Sequence, residues 1–359
     1  MSPLLEPNIY ALWAAKQTAK GSPVAAAAMT RRLLQVGGDF AAPRDDGAEA
    51  YGDLPVAGQP AASKYGGETD WVNSVLGSGE PAIQATPDEL AWLLWAFHGA
   101  ETVSPVTGPP AAQKHTFVPS TSRGHYLTFM KRVGATVIDR KKFNDCIITR
   151  VQIEGSTANK AVRVTPRILS LDPAEVFAVD PTTPAALPAD KAFLYTDGSG
   201  TFTIDNVIFK GQSQFTFVID DAWEPVYGDD TVPFELVQGN PVVTLGVTVH
   251  FDADALAQFN KIVYGTATPA AGAKPSKNVA ALGSYSAYLK QRDSAGALTG
   301  RELKLTVPGV KWTPPTAPGP NPGGGGVELA LAGAMRPVAG QQPYTIDVNT
   351  ANATVAFTN

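Results

Sequence analysis

Cysteine is almost missing from this chain of 359 residues, where Cys146 stands alone. One thiol excludes an intrachain disulfide framework and any zinc site built on several thiolates. The expectation is a buried structural thiol at the start of a strand, in a protein made in a reducing compartment. Histidine is scarce too: His98, His115, His125 and His250 show no ligand spacing and no HExxH. There is no GxSxG, and no Walker lysine follows a glycine loop. Charged residues make up 17% of the chain and the net charge is −5, which argues against a dedicated nucleic-acid binder. The small basic clusters Lys131-Arg132 and Arg140-Lys141-Lys142 lack the aromatic interleaving that single strands need. No apolar run is long enough for a bilayer, and the start, Met1-Ser-Pro-Leu-Leu-Glu-Pro7, has no signal-peptide pattern. These absences predict a soluble protein that is not an enzyme, with no catalytic residues, cofactor, metal or membrane partner. Asp252-Ala-Asp254 reads as a helix cap rather than a metal site, because two carboxylates alone hold a hard cation weakly. Asp220-Asp221 and Asp229-Asp230 could serve a glycosidase but read first as solvated loop tips.

What the chain has is turn-rich β pattern: 44% hydrophobic residues with Gly 34 and Pro 30, and valine, threonine and phenylalanine in short runs. The stretch around which the rest is organised is Thr86 to Gly99. Thr86 is a cap, Pro87 fits the first helical position, Glu89 completes a capping box, and Gly99 offers the left-handed stop. Leu90, Leu93, Leu94 and Phe97 form one apolar stripe; Trp92 and Trp95 lie off it. Such a helix must be covered on more than one side, and Trp13 of an N-terminal arm is the expected cover, with a neighbouring subunit as the alternative.

The same pattern recurs from Asp252 to Gly265. Asp88 aligns with Asp254, Leu90 with Leu256, Ala91 with Ala257, Gly99 with Gly265 and Thr102 with Thr268. We read an internal duplication. In the second helix Leu256, Phe259 and Val263 are the expected packing residues, while Gln258, Asn260 and Lys261 make a solvated outer face. The predicted domains are an arm over 1–28, a β-sandwich over 29–175, a Pro/Ala/Asp-rich linker over 176–191, and a second β-sandwich over 192–359.

Strands are clearest where apolar and polar residues alternate. Ile147, Thr149, Val151 and Ile153 are expected on one face, Arg150, Gln152 and Glu154 on the other, with a hairpin return at Ala161 to Thr165. Val243, Leu245, Val247, Val249 and Phe251 alternate without a fault. Two long acidic loops, 37–70 and 220–240, hold matching places in the two halves. Loops this long inside a compact domain are usually functional or disordered. Arg44, Asp45, Asp46, Tyr51 and Asp53 in the first, and Trp223, Tyr227, Asp229 and Asp230 in the second, are the candidate contact residues.

Several stretches read together resemble the major tail tube proteins of long-tailed bacteriophages (siphophages). They are Leu12-Trp13 through Gly21-Ser-Pro23, Leu90 to Gly99, Phe143 to Leu171, and Pro343-Tyr-Thr-Ile-Asp-Val-Asn349 through Phe357-Thr-Asn359. The resemblance implies a β-sandwich/barrel tail-tube fold with a flanking α-helix, closed into rings of self that stack axially. It implies a virion protein of the tail, assembled in the host cytoplasm, whose lumen carries DNA transiently during genome ejection. Partners would be its own copies and other tail proteins such as the tape measure, hub and terminator. A duplicated chain departs from the family pattern and predicts three subunits per ring; one tube domain per chain predicts six. The two long loops are then expected to make the ring-to-ring contacts. A tail hub or distal tail protein is the alternative within the virion. Outside it, a carbohydrate- or receptor-binding β-sandwich would use Trp223, Tyr227 or Trp312 as an aromatic platform.

Overall fold

The structure, a computed structural model, describes residues 10–41, 44–50, 68–106, 112–120, 124–134, 138–181, 191–195, 201–228, 232–277, 282–293, 295, 297–316, 326–350 and 357. In chain order the first strands are β1 (Tyr10–Lys16), β2 (Arg31–Leu33), β3 (Gln35–Gly37), β4 (Phe40–Ala41), β5 (Arg44–Ala50), β6 (Glu68–Val75), β7 (Gly77–Gly79) and β8 (Ala82–Gln84). Helix α1 (Pro87–His98) follows, then β9 (Thr102–Val106), β10 (Ala112–Phe117), β11 (Leu127–Val133), β12 (Asp139–Ser156) and β13 (Arg163–Val176). The second half holds β14 (Thr201–Ile204), β15 (Val207–Ile208), β16 (Gln212–Asp220), β17 (Trp223–Val226), β18 (Glu235–Gln238) and β19 (Val242–His250). Helix α2 (Ala253–Tyr264), β20 (Gly283–Arg292), β21 (Leu298–Trp312), β22 (Glu328–Met335) and β23 (Thr345–Thr350) complete it. The protein is mainly β, and every pairing between these strands is antiparallel.

Strand β12 is the junction of the sheet. One edge pairs with β13 along nearly its whole length, from Lys141 opposite Val176 to Glu154 opposite Arg163. The other edge is shared: β11 takes its first part and β16 takes Arg150 to Ser156. The change of partner goes with a change of face. A register shift between Ile148 and Arg150 puts one extra residue into β12, and such a bulge reverses which side chains point inward. Cys146, Ile148, Val151 and Ile153 therefore enter the main core, and Ile147 enters a separate cluster on the other side. The expected common face of Ile147 with Val151 and Ile153 is corrected by this bulge. Near the strand's end Gly155 is needed for close approach, since a Cβ there would stand 2.7 Å from the rings of Phe215 and Tyr195.

Among the described residues, strands pair across the middle of the chain through β12 with β16 and through β10 with β23, and Ala161 bridges Leu194. The main hydrophobic cluster likewise takes Leu12, Trp92 and Ile153 from the first half with Phe217, Leu305 and Ile346 from the second. The described strands on either side of the expected 176–191 linker thus share a core. The expected arm also has a different character at residues 10–16. Strand β1 pairs with β11 along one edge and β2 along the other, so it is an interior strand.

Helix α1 sits at the centre. All its residues except Asp88 are buried, with Leu90, Trp92, Leu93 and Leu94 at 0% exposure and Trp95 and Phe97 nearly so. It packs on β12 and on β23, β10 and β21, which explains an apolar surface nearly all round. Each of its large side chains contributes about 1.5–3 kcal/mol by leaving water. The cover over its outer face is not Trp13. Alternation along β1 sends Leu12 and Ala14 into the main core and Trp13 to the opposite face, with Met29 and Met130. Trp95 packs instead on His125, at 4.2 Å between ring centres, and on Phe357, at 5.9 Å.

The capping box is also redirected. Thr86 makes no side-chain bond to the helix backbone; its Oγ1 donates to Glu89 Oε2 at 3.0 Å. Glu89 Oε1 accepts from the Leu34 N–H at 3.0 Å, so the carboxyl ties the helix to the strand segment before it. Gly99 does adopt φ 71° and ends the helix. In α2, Asp252 caps as expected, its Oδ1 accepting from Ala255 N–H at 2.9 Å. The buried face of α2 is Ala255, Gln258 and Ile262; Phe259 is partly buried, Val263 half-buried, and Leu256 is 44% exposed. The helix is turned so that Gln258, expected outside, faces in. Leu256 and its aligned partner Leu90 therefore occupy opposite environments.

Candidate functional site

Both long acidic segments turn out to contain β-hairpins that stand outside the main sheet. In the first, β5 pairs with β6 from Arg44 opposite Val75 to Ala50 opposite Glu68, with a bulge at Asp45 and Asp46. In the second, β17 pairs with β18 from Trp223 opposite Gln238 to Val226 opposite Glu235. Each pair forms a two-stranded sheet of its own. Of the candidate contact residues, Arg44, Asp45 and Asp46 lie on β5, Trp223 on β17, and Tyr227 just after it. Tyr51, Asp53, Asp229 and Asp230 fall outside the described residues.

The feet of the two hairpins rest on one cluster. A small cluster of Ile147, Leu169, Leu171 and Leu236 takes in Trp223 from the second hairpin and Leu76, the residue after β6. The bulge in β12 makes this possible, because it turns Ile147 to that side. In the second hairpin Leu236 faces this cluster, whereas Val237 is 56% exposed and Phe234, before β18, is 59% exposed. Lys20, in the turn after β1, donates to the Phe234 carbonyl and lies 3.8 Å from Glu235. Sequence reading missed Leu76, Lys20, Phe234, Leu236 and Val237. Only Phe234, Leu236 and Val237, apolar residues inside an acidic segment, carried a signal.

Elsewhere, open edges are short among the described residues. Strand β9 pairs only with β10 and contains Pro105, as suits an edge strand. Strand β2 has three residues and β15 two. Among the described residues the first hairpin carries the longest unpaired margins, since β5 and β6, of 7 and 8 residues, pair there only with each other; β17 and β18 have 4 residues each.

No protein-family model matches this chain, and no curated protein does.

The ionisable groups in the core are arranged as clamps. His115 Nδ1 lies 2.5 Å from Glu101 Oε2, and His115 Nε2 lies 3.2 Å from Thr350 Oγ1. This has the order of a carboxylate–imidazole–hydroxyl relay, but His115 and Thr350 are buried, so no nucleophile faces solvent. The trio fastens the end of the chain: Phe357 stacks on His115 at 4.8 Å, and its N–H donates to Glu101 Oε1 at 2.8 Å. His98 ends α1, where a cation would suit the helix dipole, but its burial favours the neutral ring. Burial pushes its pKa down to about 4; its Nδ1–H donates to the Leu94 carbonyl and its Nε2 accepts from Tyr344 Oη. Burial also pushes the Cys146 thiol far up, which makes it inert as a nucleophile. Asp221 is raised to about 6 by burial, against the Trp223 hydrogen bond; its neighbour Asp220 accepts from Ala222 N–H and shapes the turn into β17. Of the three aromatics that the alternative platform could use, Trp312 is 4% exposed, Trp223 packs into the hairpin root, and Tyr227 is 37% exposed. Among the described residues no three histidine, cysteine or acidic groups are placed to hold a metal ion.

Proposed function

We propose that this chain is a structural virion protein that polymerises as stacked rings into the tail tube of a long-tailed bacteriophage. The observation that carries the reading is the pair of hairpins. A two-stranded ribbon with both margins unpaired is marginal in water and gains stability when another surface completes it. Two such ribbons rooted side by side on one self-contained core suit contacts between copies, ring to ring. The exposed Phe234 and Val237 would form the apolar centre of that contact. A net charge of −5 suits a conduit that passes DNA without gripping it. The shared core and the unlike burial of Leu90 and Leu256 favour one tube unit per chain and therefore six subunits per ring over three.

Negative-stain images of the overexpressed protein test the reading. Long hollow tubes support it, single rings redirect it to a tail hub or distal tail role, and particles without a lumen refute both. Joining Asp45 to Asn73 by removing residues 46–72 should leave rings that no longer stack. Mass per ring separates six copies from three.

A further inference from the structure

The polar face of the sheet, opposite the core, carries a groove that the assembly reading leaves unused. It has a volume of 570 Å³ and is lined by Lys114, Thr201, Ser286, Tyr288, Glu302, Lys304, Asp347 and Asn349. The register explains the grouping. Thr201 stands opposite Tyr288, Tyr288 opposite Lys304, and Lys304 opposite Asp347, while Lys114 stands opposite Asn349. These residues alternate with Ala287, Leu289, Leu303, Leu305, Ile346 and Val348, which are buried on the other face. Strands β14, β20, β21, β23 and β10 therefore present hydroxyls, carboxylates, an amide and ammonium groups in one basin of ligand size.

The carboxylates are already engaged. Glu302 accepts from Asn349 Nδ2 at 3.2 Å and lies 3.9 Å from Lys290, and Asp347 accepts from Thr116 Oγ1 at 2.6 Å. Among the described residues the side chains of Lys114 and Lys304 have neither an ion pair nor a hydrogen bond, although both line the groove. The aromatic ring is occupied as well, since Lys290 Nζ sits 5.0 Å over Tyr288. Neutral sugars held by stacking and bases of single-stranded nucleic acid both need an open ring face. What remains is a ligand whose own negative charge satisfies the two ammonium groups and whose hydroxyls pair with carboxylate, amide and hydroxyl neighbours.

We propose that this groove binds an acidic oligosaccharide of the uronic-acid class, with Lys114 and Lys304 taking its carboxylates and Asp347, Asn349 and Ser286 its hydroxyls. The proposal is independent of ring assembly. Calorimetric titration of the full chain with trigalacturonic acid should show saturable binding with a Kd of about 1 mM or tighter. The Lys114→Ala/Lys304→Ala double variant should weaken that binding by about tenfold or more, with its urea midpoint unchanged as evidence of folding. Maltotriose, the uncharged comparison, should give no saturable heat. Absence of binding by trigalacturonic acid, equal binding of maltotriose, or binding indifferent to the two lysines would each overturn the proposal. Tighter lysine-dependent binding of a thymidine decanucleotide would overturn it in favour of a phosphodiester ligand.

Discussion

Glu89 gives the most direct test of how the core is built, through the substitution Glu89→Gln. The residue is 1% exposed, and its carboxyl lies between α1 and the segment around Leu34. Burial raises its pKa from 4.5 to about 7, against the opposing pull of the Thr86 and Leu34 hydrogen bonds and the Arg31 charge. A folded-state pKa raised above that of the unfolded chain means that the native state keeps a proton the unfolded state has lost. Stability linked to Glu89 is therefore fully present below about pH 4.5 and falls by about 1.4 kcal/mol per pH unit until about pH 7, on the order of 3 kcal/mol in all. Other groups act in the same range: His98 and His125, both lowered by burial, lose stability as the pH falls below 6.5, and Asp221 slopes in the same sense as Glu89. The difference between variant and wild type removes these common contributions. Glutamine keeps both hydrogen bonds without a charge, since its carbonyl can accept from Leu34 N–H and its amide can donate to Thr86 Oγ1. Urea unfolding at pH 4.5, 5.5, 6.5 and 7.5 should show the variant gaining on the wild type by about 1.4 kcal/mol per unit and then levelling. A difference that stays flat, or that turns against the variant as the pH rises, would mean that Arg31 outweighs desolvation and holds Glu89 ionised.

Four further outcomes follow from the same contacts. Phe357→Ala removes the ring between Trp95 and His115 and should cost about 2–4 kcal/mol in urea unfolding, although it lies at the end of the chain. Cys146 should resist a thiol reagent in the native protein and react at once in urea, because its thiol is buried and held protonated. Phe234→Ser with Val237→Lys should change monomer stability by no more than about 0.5 kcal/mol while abolishing polymer growth seen by light scattering. Leu256→Asp should be similarly mild, whereas Leu90→Asp should prevent folding; equal effects would indicate that the two helices share one environment.

The sequence made some features legible because they depend on near neighbours alone. The limits of α1, its stop at Gly99, the cap at Asp252 and the alternation of Val243 to Phe251 are set within a few residues. The return of β12 into β13 was legible for the same reason. What failed depends on partners far along the chain. Glu89 leaves the capping box because Leu34, which it meets across a separation of 55 residues, offers a backbone donor. Trp13 turns away from α1 because β1 is held on both edges by β2 and β11. Gln258 of α2 is buried although its type and position read as solvated. In the candidate site, length and charge located both hairpins but gave no hint of their strand pairing or of their common root.

That root turns on one extra residue in β12. Without the shift after Ile148, Ile147 would point with Val151 and Ile153 into the main core, and Leu169 and Leu171 would lose an apolar neighbour on the other face. The hairpin carrying Leu236 and Trp223 would then have less apolar surface to rest on. The bulge thus does two things at once. It lets β12 pass from β11 to β16, which joins the halves of the chain in one sheet, and it sets out the apolar footing from which the hairpins rise. Core and projecting margins are therefore coupled, and a hairpin deletion that spares Leu76, Trp223 and Leu236 should leave the core intact where removal of those three would not.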